Sequence, residues 1–146
     1  MTEGPILEIA RWVATLVGLP CWHVDTRTGR SFALHLGEKR LREKPMSNPS
    51  LGPLRRYDSS HRVVVWTSDW ILDGAAGPAD LTHTVVDGAG VQPSGTLVIR
   101  FDSGAMLQVP VRPREYTANW ELSIDDEGVA IDQRGVPVRW KSGTAR

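Results

Sequence analysis

Cys21, His23 and His35 are the residues whose types and spacing come nearest to a reactive site. One thiolate and two imidazoles suit zinc with an open fourth position. The two histidines flank a turn signal, Arg27-Thr28-Gly29, so a hairpin is predicted across it. Pairing Val24 with Phe32 and Trp22 with Leu34 leaves Cys21, His23 and His35 together on the opposite face. No fourth ligand and no carboxylate to orient the imidazoles accompanies them. They are therefore read as a half-buried cysteine and two surface histidines, with metal binding as the alternative and no cofactor assigned. Cys21 as a nucleophile with a histidine base meets a further objection. It follows a predicted helix C-terminus, whereas a reactive thiolate needs a helix N-terminus or cationic surroundings.

Paired carboxylates occur at Asp69 and Asp73 and at Asp125-Asp126-Glu127. General acid–base work needs a pocket that drives their pKa values apart, and the second group sits in turn chemistry. Gly88-Ala89-Gly90 runs into Val-Gln-Pro rather than a helix start, so it cradles no phosphate. No Gly-x-Ser-x-Gly elbow is present. No catalytic residue is assigned.

Charge offers a different chemistry. The chain balances 17 Lys/Arg against 17 Asp/Glu. Residues 27–62, however, hold nine basic side chains and three acidic ones. Such a field suits a charged partner, or two halves of one fold attracting each other. In the basic segment 39–62, Arg40, Arg42 and Arg56 can meet phosphates, while Trp22, Tyr57 and Trp66 offer stacking faces. The neutral balance argues against a dedicated nucleic-acid binder. Lys and Arg on a strand edge also guard against unwanted pairing. Six tryptophans in 146 residues point to a Trp-lined surface, with Trp22 and Trp70 as its candidates beside Tyr57.

These side chains need a scaffold. Ile6, Ile9, Ala10, Val13, Leu16 and Val17 form a helical stripe. Thr2 is a candidate cap, Pro5 sits in the first turn, and Gly18 and Pro20 stop the helix. After the first hairpin, Gly37–Arg40 reads as a turn and Leu41 as the start of a short strand. Pro45–Ser60 reads as a long loop. His61–Thr67 reads as a strand, and a weaker one is predicted over Leu81–Val86, closed by a turn at Asp87–Gly90. The best-patterned stretch is Gly95–Ile124. There Leu97, Ile99 and Phe101 alternate, a turn at Ser103-Gly104-Ala105 pairs Phe101 with Leu107, and Trp120, Leu122 and Ile124 follow. Pro110 marks an edge or an end. Val129 to Ile131 and Val136 to Trp140 complete the pattern. Trp66, Trp120 and Trp22 are expected in the core.

Phe32-x-Leu34-x-Leu36, Leu41 and Trp70-x-Leu72 run in the same order as Leu97-x-Ile99-x-Phe101, Leu107 and Trp120-x-Leu122. Two similar hairpin-plus-strand units are therefore expected, one about 19–74 and one about 95–140, within a single domain over 1–146. A single cysteine excludes an internal disulfide, and no leader or membrane-spanning run is visible, so a cytoplasmic protein is expected.

Gly18-Leu-Pro-Cys-Trp-His-Val24 and Gly29-Arg-Ser-Phe-Ala-Leu-His-Leu-Gly37 resemble the opening of uncharacterised small bacterial proteins, and the second unit resembles a motif in uncharacterised small actinobacterial β-rich domain proteins. Leu97-x-Ile99-x-Phe101-Asp-Ser-Gly104 and Trp120-Glu-Leu122 are similar to patterns in immunity-type proteins of bacterial toxin systems. The resemblance implies no catalytic residues. The expected fold is α+β, mostly antiparallel sheet with an N-terminal helix packed on it. The expected function is a non-enzymatic protein-binding module, immunity- or antitoxin-like, acting by occlusion. A nucleic-acid-binding accessory subunit using segment 39–62 is the alternative, and an enzyme with a site near Cys21, His23 and His35 the third.

Overall fold

Helix α1 (Pro5–Ala14) begins at Gly4 and has Pro5 in its first turn, where a missing N–H costs nothing. The computed structural model describes residues 4–28, 30–67, 69–114 and 117–141, so Thr2 and Gly29 lie outside the described residues. Ile9 and Val13, four apart, are buried on one face. The helix stops short of the predicted stripe, with Thr15 at its C-cap. Leu16 stays buried all the same, Val17 is exposed, and Gly18 turns the chain at φ 87°.

Ten strands follow among the described residues: β1 (Cys21–Thr28), β2 (Ser31–Leu41), β3 (Tyr57–Val65), β4 (Ile71–Asp73), β5 (Val86–Val91), β6 (Leu97–Phe101), β7 (Met106–Val109), β8 (Trp120–Ile124), β9 (Glu127–Ile131) and β10 (Pro137–Lys141). They make two sheets, one of six strands in the order β1-β2-β3-β8-β9-β10 and one of four in the order β4-β7-β6-β5. Every pairing is antiparallel. The fold is α+β and dominated by antiparallel sheet, with α1 packed near β5, β9 and β10.

Period-two alternation builds one core between the sheets. Phe32, Leu34, Leu36, Val63, Val65, Trp120, Leu122 and Ile131 from the large sheet join Leu97, Ile99, Phe101, Leu107 and Val109 from the small one. Each such side chain contributes about 1.5–3 kcal/mol by leaving water. Trp120 is fully buried, and its indole N–H donates to the Gly95 carbonyl at 3.0 Å. Trp22 and Trp66 are only half-buried, on the other face of the large sheet, and so leave the expected core set.

Several registers differ from expectation. Ile99 faces Leu107 and Leu97 faces Val109. The loop is Asp102-Ser103-Gly104, because Gly104 takes φ 92° and lets the Phe101 N–H reach the Ala105 carbonyl at 2.9 Å. The slip is two residues, which leaves every side chain on its predicted face. At Gly37 the chain does not turn. Leu36 faces His61 and Lys39 faces Ser59, so β2 carries one extra residue as a bulge, with Gly37 at φ 80°. A Cβ there would collide with the Ser60 hydroxyl.

Asp87–Gly90 is strand rather than turn, and the weaker strand over Leu81–Val86 is replaced by a 3₁₀ turn, Pro78–Leu81, and extended chain. The Pro-rich loop contains a second 3₁₀ segment, Pro49–Arg55, before β3 begins at Tyr57. The two units do not segregate either. The large sheet combines β1–β3 with β8–β10, while β4 joins β5–β7. Leu41 lies on the same strand as Phe32, whereas Leu107 and Leu97 lie on different strands.

Asn119, fully buried, ties the entry to β8. Its Nδ2 donates to the Asp132 carbonyl at 2.8 Å, and its Oδ1 accepts from the Arg112 N–H at 3.0 Å. Asn119→Ala removes both partners at once and should cost about 2–4 kcal/mol. Urea unfolding should show a lower midpoint with an unchanged slope.

Candidate binding face

The face of the large sheet that points away from the core is built from cross-strand rows. In one row His23 faces His35, His35 faces Arg62, Arg62 faces Ser123 and Ser123 faces Gly128. In the next, Asp25, Ala33, Val64, Glu121 and Ala130 follow one another across five strands. Trp140 pairs with Gly128, and its indole lies over that glycine so closely that a Cβ would collide with it.

The first strand is irregular where it matters. Cys21 faces Leu36 but His23 faces His35, so a bulge places Trp22 and His23 successively on this face. Cys21 is then turned into the core with no exposed surface. The predicted hairpin, with Val24 opposite Phe32, is corrected to Val24 opposite Leu34. Cys21 therefore does not share a face with His23 and His35. Burial pushes its thiol up to about 12, opposed by a contact with the His23 carbonyl. Among the described residues no three His, Cys, Asp or Glu side chains gather as a metal site.

The histidines join an aromatic patch instead. The Trp22 ring lies 6.0 Å from His23 and 5.5 Å from His35, and the two imidazoles are 5.7 Å apart. The Lys39 ammonium stands 4.4 Å over Tyr57 and 5.5 Å over Trp22. His35 is buried, and its Nδ1 is 3.0 Å from the Ser59 hydroxyl. Burial foremost, then the charges of Arg62 and His23, lowers its pKa to about 4 against the pull of Asp25 and Asp58. At neutral pH it is an uncharged ring. The indole N–H groups of Trp22 and Trp66 are both buried without a partner.

The other predicted binding residues scatter. Arg40 is paired with Glu38 and Asp125. Arg42 donates to the Leu54 carbonyl at 2.8 Å and lies 3.8 Å from Asp58. Arg56 stands exposed. Trp70 packs edge-on against core-facing Phe32 at 5.3 Å, with Arg30 over its ring at 4.1 Å. It thus lies on the other side of the sheet from Trp22. Trp22 and Tyr57 are the two brought together, both against Lys39.

A depression of about 220 Å³ opens on the same face, lined by Asp25, Ala33, Arg62, Val64, Trp66 and Glu121 among others. Of these, only Trp66 was expected at a binding surface, as a stacking face; the others were not predicted binding residues. Their signal was the alternation Arg62-Val63-Val64-Val65-Trp66, whose odd and even members serve opposite faces. A second, larger depression of about 540 Å³ includes Gly37, Arg40, Ser60, His61 and Asp125. Ser60 Oγ there accepts the Glu38 N–H at 2.9 Å and lies 2.8 Å from His61 Nδ1, which fixes the bulge.

Compared with protein-family models, curated proteins and solved structures, the chain matches none of them. Among the described residues no helix is long and apolar enough to cross a membrane.

His35 makes stability pH-dependent. Its pKa falls from 6.5 to about 4 on folding. As pH drops below the unfolded value, the unfolded chain takes a proton that the folded chain refuses. Stability is thus full above the unfolded value and drains away as pH falls toward the folded one. The loss should reach about 2 kcal/mol near pH 5. The pKa of His61, also lowered chiefly by burial, adds in the same direction. Urea midpoints at about pH 7.5 and pH 5 should diverge in the wild type and diverge less in His35→Gln, where the contribution of His61 remains.

Proposed function

We propose that the chain is a non-enzymatic protein-binding module that holds its partner on the outer face of the six-stranded sheet. The observation that carries this reading is the gathering of Trp22, Tyr57, Trp66 and Trp140, all half-buried, around the small residues Ala33, Val64 and Ala130. Half-buried aromatics around a small-residue floor are what interface centres use, because they bury large areas with few rotamers. Arg62 and Glu121 supply charge on the same surface. Occlusion of a partner by this face, in the manner of an immunity or antitoxin protein in the cytoplasm, fits the resemblance at Leu97–Gly104 and Trp120–Leu122.

The nucleic-acid reading has one observation in its favour, the exposed run Arg55-Arg56 beside Tyr57. It is the weaker reading because Arg40 and Arg42 already have partners within the fold. Phosphate contacts would compete with those bonds.

Val64→Glu puts a charge at the centre of the outer face. Val98→Glu does the same at a half-buried position on the outer side of the small sheet. In host lysate, wild type and Val98→Glu should recover the same stoichiometric protein and Val64→Glu at least about tenfold less of it. Recovery of no stoichiometric protein by the wild type counts against the proposal. Recovery of nucleic acid that is lost on reversing Arg40, Arg42 and Arg56 would transfer it to the second reading.

A further inference from the structure

We infer that the partner docks an acidic segment carrying an apolar side chain on the free end of the β2–β3 ribbon. The inference rests on the protein-binding reading above and names what that face recognises. Lys39, Arg40 and Leu41 of β2 pair with Ser59, Asp58 and Tyr57 of β3. Strand β1 pairs no further along β2 than Leu36, and β8 no further along β3 than His61. The end of the ribbon therefore projects past both neighbours, with no third strand beside it. Leu41 is 72% exposed there. Met46, 45% exposed, is tied to the same end by its N–H, which donates to the Arg55 carbonyl at 2.8 Å.

Alternation sorts the charges of this end. Arg40 and Asp58 share one face, and the acids Glu38 and Asp125 are bound to Arg40. Arg42 lies 3.8 Å from Asp58. Lys39, Leu41, Tyr57 and Ser59 occupy the opposite face, and no acid is among them. Lys39 stands over Tyr57 and Trp22, whose rings hold the ammonium without cancelling its charge. It has no carboxylate partner among the described residues. Exposed Lys44, Arg55 and Arg56 add charge along the loop against one exposed acid, Glu43. Residues 38–58 hold six cations and three acids, and Asp125 brings a fourth acid. A positive balance thus remains once the internal pairs are made. A partner carboxylate on Lys39 sits against the two rings, where less water screens the pair, and an apolar neighbour covers Leu41.

The rival occupant is a nucleic-acid strand. Its phosphates make no use of Leu41, and Lys39 already stands over the rings on which its bases would stack. The full ¹⁵N-labelled chain is titrated with N-acetyl-Glu-Phe-Glu-amide, N-acetyl-Glu-Gly-Glu-amide, N-acetyl-Lys-Phe-Lys-amide and a short oligothymidine. The amides of Lys39, Leu41, Tyr57 and Ser59 and the Trp22 indole are followed. The acidic aromatic peptide should give saturable shifts at roughly millimolar concentration, as weak fragments do. Its affinity should fall about tenfold in Lys39→Glu and severalfold in Leu41→Ser. Arg100→Glu makes the same charge change at an exposed position of β6 and should leave affinity within about twofold. The glycine peptide should bind more weakly and the basic peptide not at all. Unchanged spectra away from the ribbon report that the variants fold. Equal binding of the basic peptide, or no saturable shifts with the acidic aromatic one, overturns the inference. So does oligothymidine that binds more tightly, loses affinity in Lys39→Glu and is indifferent to Leu41→Ser. A partner captured through Val64 without binding of the acidic aromatic peptide overturns the inference and leaves the binding face standing. Peptide binding with no captured partner supports the ribbon's selectivity and counts against the reading it rests on.

Discussion

The pairing of β3 with β8 is the seam on which the molecule depends. Five residue pairs, from His61 opposite Ile124 to Val65 opposite Trp120, join the three N-terminal strands of the large sheet to its three C-terminal ones. The other neighbours in that sheet follow one another along the chain within each half, β2 and β3 through the Pro-rich loop. The seam closes a loop of more than fifty residues, so its ordering entropy must be offset by what it buries. Val63, Val65, Trp120 and Leu122 do so on the inner side. At its end Asn119 accepts the Trp66 N–H on its own carbonyl at 3.2 Å, while its side chain spans Asp132 and Arg112. The same pairing sets Arg62, Val64 and Glu121 side by side on the outer face. Core and candidate site are the two faces of one register.

Two bulges decide what that outer face carries. Without the extra residue in β1, strict alternation from core-facing Val24 would turn Trp22 inward and leave Cys21 and His23 outside. The bulge turns Cys21 inward and leaves Trp22 and His23 together outside. In β2 the extra residue at Gly37 keeps the strand going for four more positions and brings Lys39 over Tyr57 and Trp22. Ser60 and His61 fill the space that a side chain at position 37 would need. Both bulges sit beside the aromatic patch rather than in the flat middle of the sheet.

What the sequence makes legible follows from this. Antiparallel sheet, the helix and most core positions can be read from period two and period 3.6, because burial on one face enforces the pattern. Leu97, Ile99, Phe101, Leu107 and Val109 keep their faces even with the hairpin slipped by two. Bulges break the parity on which such reading depends, and so the Cys21, His23 and His35 cluster dissolves on folding. Gly37 carries the signature of a turn and of a bulge alike, since both need positive φ. Gly88 and Gly90 look like a turn but serve in an outer strand. Strand order is not legible at all. Nothing local in Val63-Val64-Val65 names Trp120–Leu122 as its neighbours, which is why the two-unit division misplaces the seam. Charge segregation proves to be partly internal, with Arg40 from the basic segment bound to Asp125 from the acidic one.

The burial that builds this face also quiets the groups that could have reacted on it. Cys21, with its pKa near 12, stays a thiol at neutral pH, and a thiol is a poor nucleophile and a poor metal ligand. His35, with its pKa near 4, is neutral, and its Nδ1 is engaged with Ser59. A general base works best with a pKa near the operating pH, and His35 lies well below it. An uncharged imidazole between Trp22 and His23 behaves as one more ring of an aromatic platform. The outer-face groups without a hydrogen-bond partner among the described residues then include the buried indole N–H groups of Trp22 and Trp66. These quieted groups and the aromatic platform are what the proposed protein-binding reading draws on.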